Sequence, residues 1–466
     1  MGKKGDAPRF QAMGHRSPVT RKKLLAFLFV GFVAGLGLGF VFMGTLHAVS
    51  GAAAFRGQPY TCRVSAAMLP PLWVTLPLPS HPYSVSCAQF IEIGASKHHH
   101  EGQSAAEQQA LPAAVEQKGG TAAAVVAAAG GASGWPTTGE TVHIAYTSNG
   151  SPYTNYQNLV MYGTYKLAQK MPGGDKMVGF TRILHRTTHD ALSPRVPTFL
   201  ATPLHPECDA WCDYPVADRP NAIRQFLDAA VADPSMIKAP WLYMIETDFV
   251  FVGPFSMPPA ESSAKSVAFP YGYIQPTYPT IEAVMRKLYP ESEGPLEDIP
   301  PTGPSPTCMR MAEWLRIAPR YEQVTKQIEE DEEAKKALDW VREMYAFSVA
   351  AALEKIPLDM HEPPDSVTMI QPPADAGMGK AHLMHYTWGA VFNHPNGTKL
   401  WEFDKRFYTE LEHEQQLPKI PPPPPFEEGW TLQDGLPVPR PLYDVIALMI
   451  LTMNAGIDVI KAEGLA

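Results

Sequence analysis

From about residue 141 onwards, the chain contains two kinds of segment: short apolar runs, and longer segments with apolar residues at helical spacing. Short apolar runs that end in polar residues are typical of strands; they are TVHIAYTS (141–148), KMVGFTRILHR (176–186), WLYMIETDFVF (241–251) and SVAFPYGYI (266–274). Longer segments with apolar residues at helical spacing lie between them, and these are SPYTNYQNLVMYGTYKLAQK (151–170) and RPNAIRQFLDAAV (219–231). Strands that alternate with helices predict an α/β fold with a mainly parallel sheet.

A different pattern occurs near the N-terminus, where residues 24–46 contain no charged residue. As a helix with a rise of about 1.5 Å per residue, this run spans roughly 34 Å, which exceeds the bilayer core of about 30 Å. Basic residues at positions 21–23 precede it directly. The positive-inside rule therefore predicts a signal anchor with the N-terminus in the cytosol and the rest of the chain in the lumen. A cleaved signal peptide is the alternative, because Ala48 and Ser50 offer small residues for cleavage.

Composition divides the remainder of the chain into three parts. Residues 47–138 are Pro-rich and Ala-rich with weak periodicity, which predicts a flexible stem without a packed core. Residues 139–415 carry the strand and helix patterns and form the predicted globular domain. In the last part, 416–466, the run IPPPPPF (420–426) is typical of polyproline II structure. The apolar segment 442–460 is bracketed by acids and predicts a helix docked on the globular domain.

Charge and cysteine content narrow the class of protein. The chain has 466 residues, 45% of them hydrophobic, and a formal charge of −9, which does not match the basic footprint of a nucleic-acid-binding protein. Cys208 and Cys212 are spaced to close a small disulfide loop in an oxidising compartment. The same spacing occurs in metal sites, but no second pair of cysteines accompanies it. Cys62 and Cys87 are a further candidate bridge.

Two acidic residues interrupt the apolar run 241–251, namely Glu246 and Asp248. A buried carboxylate is costly unless it is paired or binds a metal. Residues two apart on a strand point to the same side, so this spacing predicts that both acids bind one divalent cation together with substrate phosphate oxygens. That is the chemistry needed to hold a nucleotide-sugar diphosphate. The alternative is that the acids only cap the end of a strand. Since neither a Walker A nor a GxGxxG motif occurs, a P-loop kinase and a Rossmann dehydrogenase are not supported.

A longer series of motifs resembles, in order, the plant hydroxyproline O-arabinosyltransferase family. The series includes GFTRILHR (179–186), DRPNA (218–222), ETDFVFVGP (246–254), AFPYGYIQP (268–276), YPESEGPLEDIPPTGPSP (289–306), WVREMYAFSVA (340–350), HYTWG (385–389) and WEFDKR (401–406). The resemblance implies a type II Golgi membrane protein with a metal-dependent, GT-A-like catalytic domain. It also implies transfer of L-arabinofuranose from a UDP-sugar to hydroxyproline in secreted or cell-wall proteins. One departure is Phe249, where the family usually has histidine.

The resemblance and the chemistry of the side chains suggest further site residues. His385 matches a late family position and is expected to complete the metal shell with Glu246 and Asp248; its imidazole suits Mn²⁺ better than Mg²⁺. A core histidine bonded to the backbone is the alternative. Arg182 and His185 are expected to contact the phosphate or ribose of the donor, although a strand-end arginine is as often part of a structural ion pair.

Catalysis is expected to depend on Asp248 and Glu343. Asp248 acts through the metal, and Glu343 in WVREMYAF is a candidate base toward the acceptor hydroxyl, with a helix-surface acid as the alternative. Asp404 is a similar candidate.

Aromatic residues near the site suggest how a hydroxyproline-rich acceptor binds. Such chains adopt polyproline II structure and are recognised by aromatic-lined grooves. The candidates, about half of which we expect to be buried, are Phe269, Tyr271, Tyr273, Tyr386 and Trp388. Two other functions remain open at this stage: a transferase of the same architecture with another donor and acceptor, such as galactose onto serine, and a non-catalytic lumenal scaffold.

Overall fold

A computed structural model of the chain describes residues 134–210 and 212–465. The predicted signal anchor, most of the stem and the candidate bridge between Cys62 and Cys87 lie outside these residues, and so they stay predictions.

The described residues form twelve strands and eight α-helices. The strands are β1 (Val142–Ser148), β2 (Met177–His185), β3 (Thr198–Ala201), β4 (Trp241–Ile245), β5 (Phe249–Phe251), β6 (Ser266–Ala268), β7 (Thr307–Arg310), β8 (Leu358–Met360), β9 (Met369–Ile370), β10 (Leu383–His385), β11 (Gly389–Asn393) and β12 (Lys399–Asp404). The helices are α1 (Pro152–Gln169), α2 (Arg219–Ala232), α3 (Glu282–Leu288), α4 (Met311–Glu329), α5 (Glu332–Leu338), α6 (Arg342–Leu353), α7 (Leu411–Gln416) and α8 (Arg440–Ala462).

Seven of the strands make one central sheet in the order β3-β2-β1-β4-β7-β6-β8. Strand β1 is parallel to both β2 and β4, β2 is parallel to β3, and β6 is parallel to β8. Only β7 runs against its neighbours β4 and β6. Every residue of β1 is buried, as expected for a central strand covered on both faces. The prediction of an α/β fold with a mainly parallel sheet is confirmed.

Helix α1 begins where the sequence places its start signals. The side-chain oxygen of Ser151 accepts a hydrogen bond from the backbone N–H of Thr154, and Pro152 occupies the first helical position. A serine cap satisfies a backbone donor that the first turn leaves free, and proline has no N–H to lose there.

The segment 241–251 is not the single strand that its composition predicts. Strand β4 ends at Ile245 and belongs to the central sheet, whereas β5 begins at Phe249 and belongs to a small sheet with the order β5-β10-β9. Residues 246–248 connect the two sheets, with a turn at Thr247 and Asp248. The expectation that Glu246 and Asp248 share one face of a strand was therefore wrong. The apolar runs on both sides are buried in two different sheets, and the acids lie where the chain passes between them.

The last helix, α8, packs across α1 at very close range. At their crossing, a Cβ atom added to Gly163 would lie 2.2 Å from the carbonyl oxygen of Gly456. Among the described residues, α8 alone is long and apolar enough to cross a membrane, but half of its most apolar window is buried against the protein. Burial of that kind is typical of a core helix.

The segment 418–426, here called the proline strap, is tied down by aromatic side chains. The carbonyl oxygens of Pro418, Pro421 and Pro424 each accept one hydrogen bond of 2.9 Å. The three donors are the hydroxyl of Tyr156, the indole N–H of Trp401 and the hydroxyl of Tyr443. A spacing of three residues is one turn of a polyproline II helix, so aromatic donors hold one side of the strap.

Elsewhere in the described part of the chain, a disulfide joins Cys208 to Cys212, as the spacing allows, and Cys308 is a buried free thiol.

Candidate active site

The order of the strands identifies one edge of the central sheet as a ligand site. From β1, the chain first adds β2 and β3 on one side and then returns to place β4 on the other side. In open α/β sheets, ligands bind beyond the carboxyl ends of the strands at such a change of direction. Residues 246–248 follow β4 directly, and so they lie at this point.

Glu246, Asp248 and His385 meet beside this turn. One potential ligand atom from each residue lies within 4.8 Å of the others. His385 ends β10, which pairs with β5 so that His385 is opposite Phe249. Asp248 and His385 are buried, while Glu246 is partly exposed. Two carboxylates and an imidazole suit a divalent cation such as Mn²⁺, so the residues predicted as metal ligands form a set that fits one.

The orientation of His385 is set by its second ring nitrogen. Its Nε2 is 3.2 Å from Oδ2 of Asp248, and its Nδ1 is 3.1 Å from the side-chain amide nitrogen of Gln371. In this arrangement, Gln371 donates to Nδ1, and Nε2 carries the proton that points at Asp248. A cation bound at Nε2 requires the other tautomer, which Gln371 can support by turning its amide oxygen toward Nδ1–H.

Phe249, the departure from the family pattern, is fully buried. Its ring packs edge-on against the ring of His385, with 4.8 Å between the centroids. The phenylalanine therefore supports the imidazole from the side.

Lys405 is a site residue that sequence reasoning missed. Its ammonium nitrogen lies 2.5 Å from Oδ2 of Asp248 and 5.3 Å from the centre of the Trp388 ring. Burial disfavours the charge on Lys405, but Asp248 outweighs that effect and raises its pKa above the usual range. Burial likewise disfavours the charge on Asp248, yet Lys405 and then His385 hold the pKa of that carboxyl well below its usual range. Both groups are therefore charged at neutral pH.

The neighbouring Asp404 has a local structural role. Its Oδ1 accepts hydrogen bonds from the backbone N–H of Arg406, at 2.8 Å, and from the Nε of the same residue, at 2.9 Å. Its carboxylate caps the short turn that carries Lys405.

Arg219 connects Glu246 to Glu343. Its Nη1 is 2.6 Å from Oε1 of Glu246 and 3.3 Å from Oε2 of Glu343. Glu343 also accepts a hydrogen bond from the hydroxyl of Tyr321 and is almost completely buried. Burial raises the pKa of Glu343 to about 7, while Arg219 acts to lower it. The carboxylate predicted as a base thus lies behind Arg219, where it positions that guanidinium and, through it, Glu246.

Arg182 is part of an internal ion pair, which is the alternative considered for it. It is wholly buried and donates hydrogen bonds to Oδ1 of Asp190 at 2.8 Å and to Oδ1 of Asn155 at 2.9 Å. With its Nη atoms engaged in this way, Arg182 is not placed to reach a donor phosphate.

His185 ends β2 and is buried near Arg219, and its Nδ1 has no hydrogen-bond partner among the described residues. Burial, followed by the charge of Arg219, lowers the pKa of His185 to about 3, so the imidazole is neutral.

The candidate acceptor aromatics divide by exposure. Phe269, Tyr271 and Tyr386 are buried, in line with a role in core packing. Tyr273 and Trp388 are 51% and 58% exposed. The backbone carbonyl of Trp388 accepts a hydrogen bond from the N–H of Lys405 at 3.0 Å, which fixes the tryptophan beside the charged cluster.

The sheet and the cluster at its change of direction define an α/β protein with a candidate site for a cation and a phosphate-bearing ligand. A family model described as "Hydroxyproline O-arabinosyltransferase family N-terminal domain" matches residues 142–360. The chain is 35% identical over 291 residues to hydroxyproline O-arabinosyltransferase NOD3 of Pisum sativum. The aligned region covers 61% of this chain and 82% of that protein. The chain is 36% identical over 287 residues to hydroxyproline O-arabinosyltransferase 1 of Arabidopsis thaliana, covering 60% and 74%.

This chain belongs to the hydroxyproline O-arabinosyltransferase family, and the resemblance seen in its motifs is confirmed. His385 and Lys405 lie beyond the residues that the family model matches.

Proposed function

We propose that this protein is a glycosyltransferase that moves L-arabinofuranose from a UDP-sugar to the hydroxyl of hydroxyproline in a secreted or cell-wall protein. The observation that carries the proposal is the set of three side chains that are placed to ligate one cation at the sheet's change of direction, in a chain that belongs to this family. The GT-A-like character of the domain is part of the proposal, since it explains why the ligands follow β4.

The metal is proposed to be held by Glu246, Asp248 and His385. When bound, a divalent cation of this kind neutralises the diphosphate that departs with UDP. The chain's own residues prepare the ligands for it: Arg219 holds one oxygen of Glu246 at 2.6 Å, and Gln371 sets the ring of His385. Because one ligand is an imidazole, Mn²⁺ is favoured over Mg²⁺.

The nucleotide is proposed to lie along the carboxyl ends of β1 and β2. His185 supports this position, because it ends β2 and its neutral imidazole has a buried Nδ1 without a hydrogen-bond partner among the described residues, an acceptor that a ribose hydroxyl would satisfy once the atoms covering it move aside. Arg182 takes no part in this proposal, because its ion pair with Asp190 is internal.

The acceptor surface is proposed to include Trp388 and Tyr273. Both are exposed, and Trp388 lies over the side chain of Lys405, which is bonded to Asp248. The proline strap supports this proposal, because aromatic side chains of this chain bind its proline-rich backbone by donating hydrogen bonds to it. Trp401, one of those donors, lies on the β11–β12 hairpin, which begins directly after Trp388.

The location is proposed to be the Golgi membrane, with residues 47–466 in the lumen. The uncharged run 24–46 and the basic residues before it support this topology. Protease treatment of sealed microsomes tests it: the C-terminal domain is expected to survive until detergent is added, and digestion without detergent would contradict the topology.

The activity is tested with three peptides that differ only in containing Pro, hydroxyproline or Ser at one position. Each is incubated with a panel of UDP-sugars, with Mn²⁺ or with EDTA, and the products are weighed by mass spectrometry. We expect addition of one pentose to the hydroxyproline peptide alone, only with Mn²⁺, and none with Asp248→Asn as the matched control. Hexose on serine would indicate the other donor and acceptor, and no product with any donor would indicate a non-catalytic protein.

A further inference from the structure

Lys405 and the proposed metal need the same carboxylate oxygen. Oδ2 of Asp248 is 2.5 Å from the ammonium of Lys405 and 3.2 Å from Nε2 of His385. It is also the oxygen of Asp248 closest to the imidazole with which it is expected to share a cation. Divalent cations bind carboxylate oxygens at about 2.0–2.2 Å. A cation there would lie within a few ångströms of the ammonium, where two positive charges repel strongly in a poorly hydrated site.

The charges around the cluster show what Lys405 balances. Arg219 lies between Glu246 and Glu343, so it does not neutralise Asp248. Lys405 is the only cationic side chain in the described residues that makes an ion pair with Asp248, apart from His385 when that ring is protonated. Without a metal, the ammonium therefore compensates the buried aspartate.

The backbone of Lys405 is held in place, while its ammonium has a second contact beside Asp248. The backbone N–H is bonded to the carbonyl oxygen of Trp388, and the following turn is capped by Asp404. The ammonium lies 5.3 Å from the ring centre of the exposed Trp388, and this ring can keep it near the site by a cation–π contact after it leaves Asp248.

We propose that Lys405 is a ligand of the donor diphosphate. In the metal-free protein, Asp248 holds the ammonium of Lys405, and when a divalent cation binds Asp248, the ammonium moves to the phosphate oxygens. Lysine serves as a phosphate ligand through its compact charge. Once Asp248 pairs with the cation, the diphosphate replaces it as the anionic partner of Lys405. This inference rests on the proposed function, because it requires a nucleotide-sugar and a metal at this site.

The proposal predicts opposite effects on two affinities when Lys405 loses its charge. For Lys405→Met, the affinity for Mn²⁺ without nucleotide should rise about tenfold, because no ammonium competes for Asp248. The affinity for UDP at saturating Mn²⁺ should fall about tenfold, because one charged ligand of the diphosphate is lost. Electron paramagnetic resonance of free Mn²⁺ measures the first affinity, and titration calorimetry measures the second.

Two controls make the result specific. Arg406→Met removes a neighbouring positive charge that also lies over Trp388, at 4.9 Å, but is paired with Asp404, so both affinities should stay within about twofold of the wild type. Lys405→Gln still donates a hydrogen bond to Asp248 without a charge, and it repeats the test if the methionine variant folds poorly.

The outcomes separate this inference from the proposed function. If the wild-type protein binds Mn²⁺ and UDP but the Lys405 variants weaken both or change neither, the role of Lys405 is overturned and the proposed function stands. If the wild-type protein binds no UDP with Mn²⁺, both are overturned.

Discussion

Asp248 has a structural role as the partner of Lys405 and a proposed chemical role as a metal ligand, and a pair of substitutions separates them. Asp248→Asn removes the carboxylate charge without changing the size of the side chain. It leaves the ammonium of Lys405, whose side chain is only 11% exposed, without its ion-pair partner. Removing one partner of a buried ion pair costs about 3–5 kcal/mol, and because water reaches this pair to a small extent, we expect the lower end, about 3 kcal/mol.

The double variant Asp248→Asn with Lys405→Met should recover most of that loss. No unpaired charge remains buried in it, and replacing a buried ion pair by neutral side chains of similar volume is often close to neutral for stability. Turnover should not recover, because the proposed metal would still lack one of its ligands. We expect both variants to lose activity by more than about a hundredfold.

The assay combines urea unfolding followed by circular dichroism with initial rates at saturating donor and peptide, expressed per folded molecule. The stability measurement belongs at pH 7. The folded-state pKa of Asp248 is lowered, so its contribution is complete above its unfolded value of about 3.9 and disappears only as the pH falls below that. If the double variant regained turnover together with stability, Asp248 would be only the partner of Lys405, and the reasoning about the metal would be refuted.

Substitutions at three other positions test the acceptor surface, a buried histidine and the contact between helices. Trp388→Ala should raise the KM for the peptide about tenfold and the KM for the donor less than about twofold, whereas Trp388→Phe should keep most of the wild-type value; an equal rise in both constants would contradict an acceptor role. Burial, followed by the charge of Lys238, lowers the pKa of His143 from 6.5 to about 4, so the unfolded chain takes up a proton that the folded chain refuses. Stability should therefore fall by about 1.4 kcal/mol per unit as the pH drops from 6.5 to 4, and His143→Gln should flatten that slope in thermal melts against pH; an unchanged slope would count against the assignment. Gly163→Ala should lower the free energy of unfolding, measured by urea denaturation, by about 1–3 kcal/mol, because the new methyl group overpacks against the backbone of Gly456; an unchanged free energy of unfolding would mean that the helices separate at no cost.

The sequence was informative where local chemistry decides the structure. The start of α1 follows from Ser151 and Pro152, because a cap depends on neighbours in the chain. Glu246 and Asp248 stood out because acids are rare in apolar runs. The turn that separates them was not predictable, since an apolar run has the same composition whether it continues in one sheet or enters a second.

Long-range placement was harder to predict. His385 was found through its family position, because no local pattern places it near Asp248. Lys405 was missed because one lysine in a polar segment carries no sign of which carboxylate it will face. Arg182 shows the converse difficulty. Its position near the end of a predicted strand suggested a phosphate ligand, and only the structure shows that its guanidinium is already paired with Asp190.

The crossing of α1 and α8 has a consequence for how the chain acquires its fold during synthesis. Helix α1 leaves the ribosome early in the domain, yet the helix that covers it at Gly163 is nearly the last part of the described chain to appear. At synthesis rates of about 5–20 residues per second, the apolar surface of α1 waits many seconds for its partner. The region matched by the family model, which ends at residue 360, contains α1 but not α8, His385 or Lys405. A fragment cut at that boundary would expose the apolar surface of α1 and lack His385 and Lys405, so we expect the unit that folds to extend through α8.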